Sequence, residues 1–290
     1  MTLESLLPII VVLMMTIVGT EISRAQLTAS MRMRRALVGG TLGQLLLLPV
    51  LAVLVVLLLQ PNPVLAGGLL LVAVSPGGVL SNYYCSVARL NVAFSVTLTT
   101  VSGFVALAAM PLLFAAIVPP ALGIEAFRVP VAEMTSRLLL FLLLPAAAGM
   151  ALRQLFPAAI ERTGRAIRAF GLGLLVFFLA LVFFDQRHAV VEMFGEAALL
   201  TVTFTVLALF AGWLTGSILH LNRNDRAVLA VEFAVRNVGI AALLALATFQ
   251  QPEFAAFGAL FLLFQAPVLI LALLLRKHIH DLPATGDRVR

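Results

Sequence analysis

The chain is written in long apolar runs divided by short polar connections. Runs that approach or exceed the ~20 residues needed to cross a bilayer fall at 6–22, 36–59, 64–87, 92–118, 134–152, 167–184, 197–219, 227–249 and 254–275. They predict about nine transmembrane helices, with connections too short to form a separate soluble domain. The first run starts close to Met1 without a basic leader or a small-residue cleavage site, so it reads as a retained helix.

Composition agrees with the pattern. Hydrophobic residues make up 62% of the chain, charged residues only 11%, and the mean hydropathy is +1.12. A soluble domain carries about 25% charged residues, so the expected class is an all-α polytopic membrane protein. Arginine placement predicts its orientation. Arg24, Arg32, Arg34, Arg35, Arg89, Arg153, Arg162, Arg165, Arg168, Arg223, Arg226, Arg276, Lys277, Arg288 and Arg290 all fall on one side of the nine-span scheme; Arg128, Arg137 and Arg187 fall on the other. The positive-inside rule then puts the N-terminus outside and the C-terminus in the cytoplasm, in a cell inner (plasma) membrane.

The pI near 10.9 reflects these scattered loop arginines. No basic stripe with interleaved aromatics offers itself to nucleic acid. No nucleophile with a neighbouring base, no carboxylate pair and no glycine-rich phosphate loop with a lysine is present, which argues against an enzyme and against ATP-driven transport. A single cysteine, Cys85, excludes an intrachain disulfide.

Polar residues inside the apolar runs carry the functional signal. Glu232 and Arg236 are the only charges in run 227–249, and ionisable residues within the membrane are costly enough to suggest function. On one continuous helix a spacing of four puts both on the same face, as a mutually compensating pair. The third run contains Ser75, Pro76, Gly77, Gly78, Ser81 and Asn82, a sequence that breaks a helix and is tolerated in a bilayer only against protein or a wet cavity. The fourth run sets Ser95, Thr99 and Ser102 on one face, following Asn91. Gln44, Asn237 and Gln265 are further isolated polar groups. Taken singly, each feature has a structural reading: a gluing ion pair, a proline kink, hydroxyls bonded to their own helix. Together they supply the oxygens a hard cation needs. None of the four histidines joins them, which argues against a transition metal.

The third and eighth runs each carry a polar interruption and are each followed by one more span. Helices one to four match helices five to nine if one initial helix is missing. The odd offset implies an inverted repeat, with two discontinuous helices crossing near the membrane midplane.

The segments SPGGVLSNYYCSVARLNVAFSVTLTTVS (75–102) and VEFAVRNVGIAALLALA (231–247) resemble the bile acid:sodium symporter family of secondary transporters, in its nine-helix form. The resemblance extends more loosely over nearly the whole chain, including Gln44 and GALFLLFQ at 258–265. It implies one transmembrane transporter domain with a core, about 36–118 and 197–277, rocking against a panel, about 5–23 and 134–184, and a cytoplasmic tail at 278–290. It implies a sodium site at Ser81, Asn82, Ser95, Thr99 and Glu232, with no cofactor beyond the coupling ion. The family's second sodium uses Gln44, but Arg236 stands where a second glutamine is expected, and a guanidinium has donors only. The expectation is therefore symport of a small organic anion with at most one sodium, Arg236 supplying the charge of the other. Val79, Asn237 and Gln265 match substrate-side positions. The alternatives are a proton-coupled carrier working through Glu232, a transport-inactive membrane sensor of the same fold, and an exporter with a functional Cys85.

Overall fold

The structure is a computed structural model that describes residues 3–22, 28, 33–122 and 129–281. Arg24, Arg32, Arg128, Arg288 and Arg290 lie outside the described residues, as does the end of the tail from 282 onward. The described chain folds into α1 (Leu3–Glu21), α2 (Arg34–Leu59), α3 (Pro63–Val74), α4 (Leu80–Val87), α5 (Val92–Leu122), α6 (Val131–Leu155), α7 (Pro157–Asp185), α8 (Arg187–Ile218), α9 (Arg223–Ala234), α10 (Val238–Ala247) and α11 (Pro252–Asp281). Among the described residues there is no strand, only an isolated antiparallel bridge between Gly77 and Arg236.

Five helices, α2, α6, α7, α8 and α11, are long and apolar enough to cross a membrane by themselves. A sixth is α5, which bends by 64° between Val92–Ala106 and Ala108–Ala121. Pro111 explains the bend, because its ring removes the amide that would bond residue 107 and presses on that carbonyl. The protein is thus a polytopic, all-helical membrane protein. The runs 64–87 and 227–249 are not continuous helices. Each divides into two, and α3 at 12 residues reaches only ~18 Å, against about 30 Å of hydrocarbon.

Local chemistry sets these boundaries. Pro63 opens α3 behind the cap Asn62, whose side chain accepts from the Val64 amide, and α3 ends at Ser75, the residue that Pro76 holds extended. Asn222 caps α9 by accepting from the Asp225 amide, and Asn237 caps α10 by accepting from the Ile240 amide. Large apolar side chains such as Leu58, Val191 and Phe184 face outward, more than three-quarters exposed. Lipid rather than water suits such a surface.

Helix α1 packs on the second half of α6 and on α7. A Cβ on Gly19 would lie 2.1 Å from the Ala146 carbonyl oxygen, and one on Gly149 would lie 2.0 Å from that of Thr16, so only glycine permits these backbones to touch. The other helices pack around α8, which lies against α2, α9 and α11, while α10 rests on α11 and α3 lies between α2, α5 and α11.

Candidate functional site: an oxygen cluster at two broken helices

The two breaks, at 75–79 and 235–237, lie against each other. The Gly78 amide donates to the Val235 carbonyl at 3.0 Å, and the Asn237 amide to that of Pro76 at 2.9 Å. Each break thereby satisfies backbone groups that the other has freed, which is what a non-helical segment at membrane depth requires. Gly78 permits the approach, since a Cβ there would fall 2.5 Å from the Arg236 carbonyl oxygen. Both irregular segments are short. Ser81 already belongs to α4, and Gly239 to α10.

Glu232, fully buried on α9, sits where α4 and α5 converge. Its Oε1 accepts from Ser81 Oγ at 2.6 Å and Ser95 Oγ at 2.5 Å, and Thr99 Oγ1 lies 2.9 Å from both carboxylate oxygens. Ser95 Oγ is also 2.8 Å from Asn82 Oδ1, Ser81 Oγ 2.8 Å from the Gly78 carbonyl, and the Ser81 and Thr99 hydroxyls 3.4 Å apart. All five side chains are buried.

The proton count points to a missing positive charge. Ser81 and Ser95 each touch two acceptors but carry one proton apiece. At least one of each pair of close O···O contacts then brings two lone pairs together. Such an excess of oxygen lone pairs is relieved by a hard cation or by an extra proton. Among the described residues no group of three His, Cys, Asp or Glu side chains comes together to hold a metal.

Arg236 does not pair with Glu232, contrary to the expectation of one shared helical face. Helix α9 ends at Ala234 and Val235 is extended, so the i, i+4 relation does not exist. Among the described residues the one ion pair within 4.0 Å is Arg137 with Glu133, at 2.7 Å. Arg236 instead donates through Nη1 to Gln44 Oε1 at 3.1 Å and through Nη2 to the Ser75 carbonyl, at the C-terminal end of α3. Its Nε and the Gln44 Nε2 have no partner. Gly77 faces the space beside this arrangement: a Cβ there would lie 3.2 Å from Glu232 Oε2 and 3.5 Å from both Gln44 Oε1 and Ser102 Oγ.

A small cavity of about 50 Å³ opens beside the breaks. Met15 and Val18 of α1, Ile22 just after it, and Leu142, Leu143, Ala146 and Met150 of α6 line one side; Pro76, Gly77, Val79, Asn237 and a stretch of α5 around Thr99 to Phe104 line the other. Leu142 and Leu143 belong to a π-helical turn, Leu139–Leu143, a feature frequent at functional sites. Asn237 turns its Nδ2 toward Met15 Sδ at 3.7 Å. Gln265 and Arg236 do not line this cavity. Gln265 Nε2 donates to the Ala234 carbonyl at 2.5 Å, answering an acceptor left free where α9 ends. Thr97 and Thr100 bond carbonyls of their own helix.

One buried acid went unnoticed in the sequence. Asp225 accepts from Asn91 Nδ2 at 2.9 Å and from Asn222 Nδ2 at 2.6 Å. The available signal was the asparagine that precedes each of α5 and α9, a capping residue type in both cases.

A family model described as Sodium Bile acid symporter family matches residues 8–193. The chain belongs to that family. The matched segment holds Gln44, Val79, Ser81, Asn82, Ser95 and Thr99; Glu232, Arg236, Asn237 and Gln265 lie beyond it. The chain is 26% identical to a probable chloroplastic sodium/metabolite cotransporter of Arabidopsis thaliana, over 81% of this chain and 57% of that protein. It is 31% identical to the P3 protein of Bos taurus, over 73% and 43% of the two chains. An uncharacterized sodium-dependent transporter of Bacillus subtilis is 24% identical over 72% and 64%. The chain thus spans about half the length of the curated relatives it matches. The family and the relatives named for sodium transport indicate a transporter, not an enzyme.

Proposed function

We propose that this member of the family is a secondary active symporter that moves a small organic anion with one sodium ion. The sodium is held by Ser81, Asn82, Ser95, Thr99 and Glu232, and Arg236, anchored on Gln44 and Ser75, supplies the positive charge of a second ion. The observation that carries the reading is the surplus of acceptors over protons around Glu232. When sodium enters, each hydroxyl turns a lone pair to the ion and keeps its proton for the acceptor on its other side. The substrate enters between panel and core at the cavity beside Val79 and Asn237, which widens as the two move apart, and the positive ends of α4 and α10 favour an anion there. Its apolar walls select a compact organic body.

In this reading α1, α6 and α7 form the panel, and the rest of the chain the core that rocks against it. The broken pairs α3/α4 and α9/α10 each count as one span, giving nine. The N-terminus lies outside and the C-terminus in the cytoplasm of the plasma membrane.

The same surplus is also relieved by a proton on Glu232, so proton coupling is the second reading. Purified protein distinguishes them by equilibrium binding of radioactive sodium, with choline as the control cation. Saturable binding in the wild type that Glu232→Gln removes is the expected result. Wild-type protein without sodium binding, but with uptake driven by a pH gradient, overturns sodium coupling in favour of the proton.

A further inference from the structure

Glu232 has hydroxyl partners on α5, and seven residues before it on α9 stands a second buried carboxylate, Asp225, only 4% exposed. Seven residues are two turns, ~10.5 Å along the axis and nearly the same face. Asn91, just before α5, and Ser95 and Thr99 on it follow in steps of four, and the two helices pack on each other. The contacts therefore form two rungs between the same helices. Asp225 meets Asn91 at the lower rung, and Glu232 meets Ser95 and Thr99 at the upper one.

The lower rung is a closed hydrogen-bonding unit. Asn91 Oδ1 accepts from the Phe94 amide at 3.1 Å while its Nδ2 donates to Asp225 Oδ1. Asn222 Oδ1 accepts from the Asp225 amide at 3.0 Å while its Nδ2 donates to Asp225 Oδ2. Both side-chain amides are thus oriented by their caps, each with its donor aimed at one carboxylate oxygen. Among the described residues no basic side chain lies within 4.0 Å of Asp225, so these amides are what fix it. The capping bonds tie the unit to the first turn of α5 and of α9.

We propose that Asp225 is a positioning residue for ion coupling: it locks the register of α9 against α5 so that Glu232 meets Ser95 and Thr99 at ion-binding distance. The assignment rests on the proposed sodium site and adds a residue to its support. One residue of slip along a helix moves a side chain by ~1.5 Å, whereas metal sites tolerate about 0.2 Å in ligand distance. A lock of register at the helix starts is therefore a requirement on the site rather than an ornament of the fold.

The chemistry supplies a swap that separates positioning from bulk stability. In Asp225→Asn one of the two oriented amides meets an NH2 group instead of an oxygen. In Asn91→Asp two carboxylates face each other. In the double variant the new aspartate still accepts from the Phe94 amide and receives the new asparagine's NH2, whose oxygen still accepts from Asn222; every bond is restored with the charge moved to the other helix. Equilibrium sodium binding and the melting temperature in sodium-free choline buffer are measured on the full chain. Each single variant is expected to bind sodium at least tenfold more weakly, the usual scale for loss of support behind metal ligands, and the double variant to return to within about threefold of wild type. Single variants that melt earlier but bind sodium with unchanged affinity refute the proposal, as does a double variant that folds and stays weak. A wild type that binds no sodium removes the proposed function, and this assignment with it.

Discussion

Replacing Arg236 by glutamine, the residue that the family resemblance leads one to expect there, tests the proposed single-sodium reading. The guanidinium is buried and bonded to Gln44 Oε1 and the Ser75 carbonyl, so it fixes a charge beside the crossover without touching Glu232. Glutamine removes that charge and supplies an acceptor oxygen on the side of Gln44. Ion binding stabilises the native state in proportion to the logarithm of ion concentration once sites are filled, which amounts to about 1.4 kcal/mol per decade of sodium for each ion bound. The wild type should therefore gain about 1.4 kcal/mol per decade, and Arg236→Gln should approach about 2.8, read from thermal melts in mixtures of sodium and choline. Arg236→Ala is the control. It leaves two buried acceptors without their donor at roughly 1–3 kcal/mol each and should melt earlier without a steeper slope. A wild-type slope near two ions refutes the replacement, and so does an unchanged slope in Arg236→Gln.

Three further outcomes follow from the geometry. Thr99→Val removes the hydroxyl within 2.9 Å of both Glu232 oxygens and should weaken sodium binding at least tenfold in the same equilibrium assay while the protein still folds. Gly78→Ala places a methyl 2.5 Å from the Arg236 carbonyl and should cost about 1–3 kcal/mol as the two breaks are pushed apart, measured as a lowered melting temperature. Epitope tags on the termini should be reached by antibody from outside at the N-terminus and only after permeabilisation at the C-terminus; the opposite result inverts the proposed topology.

What could be read from the sequence was whatever depends on local chemistry. Nine apolar runs, the proline and glycine break and the capping asparagines are each decided within a turn of helix. The convergence of Ser81, Ser95, Thr99 and Glu232 was legible only through the family resemblance, because no spacing along one chain tells that α4, α5 and α9 meet. Arg236 was misread for an instructive reason. A spacing of four implies a shared face only while the helix continues, and Asn237 starts a new helix just after it. The fate of Gln265 was hidden in the same way: its acceptor, the Ala234 carbonyl, is free only because α9 ends there. Asp225 was passed over because it stands next to arginines near the start of its helix, where a solvated charge is the ordinary case.

The charge balance at the crossover leads to a last prediction. Glu232 contributes one negative charge, Arg236 one positive, and a single bound sodium one more, so the loaded site is left with one net positive charge, the complement of a monoanion. Two sodium ions around an uncharged residue at position 236 would give the same sum at the site. The two schemes differ in what crosses the membrane. With Arg236 fixed in the protein, one sodium and one monoanion move together and no net charge is carried; with two mobile sodium ions, one positive charge crosses per cycle. Moving that charge through 100 mV is worth about 2.3 kcal/mol, enough to change accumulation about fiftyfold at 1.4 kcal/mol per factor of ten. Uptake of a transported monoanion into vesicles, with the potential clamped by a potassium gradient and valinomycin, should thus be indifferent to potential in the wild type. It should become potential-driven in Arg236→Gln. Potential-driven uptake by the wild type would show that a second mobile charge accompanies the substrate, and Arg236 would then be a structural tie between the two breaks rather than a substitute for an ion.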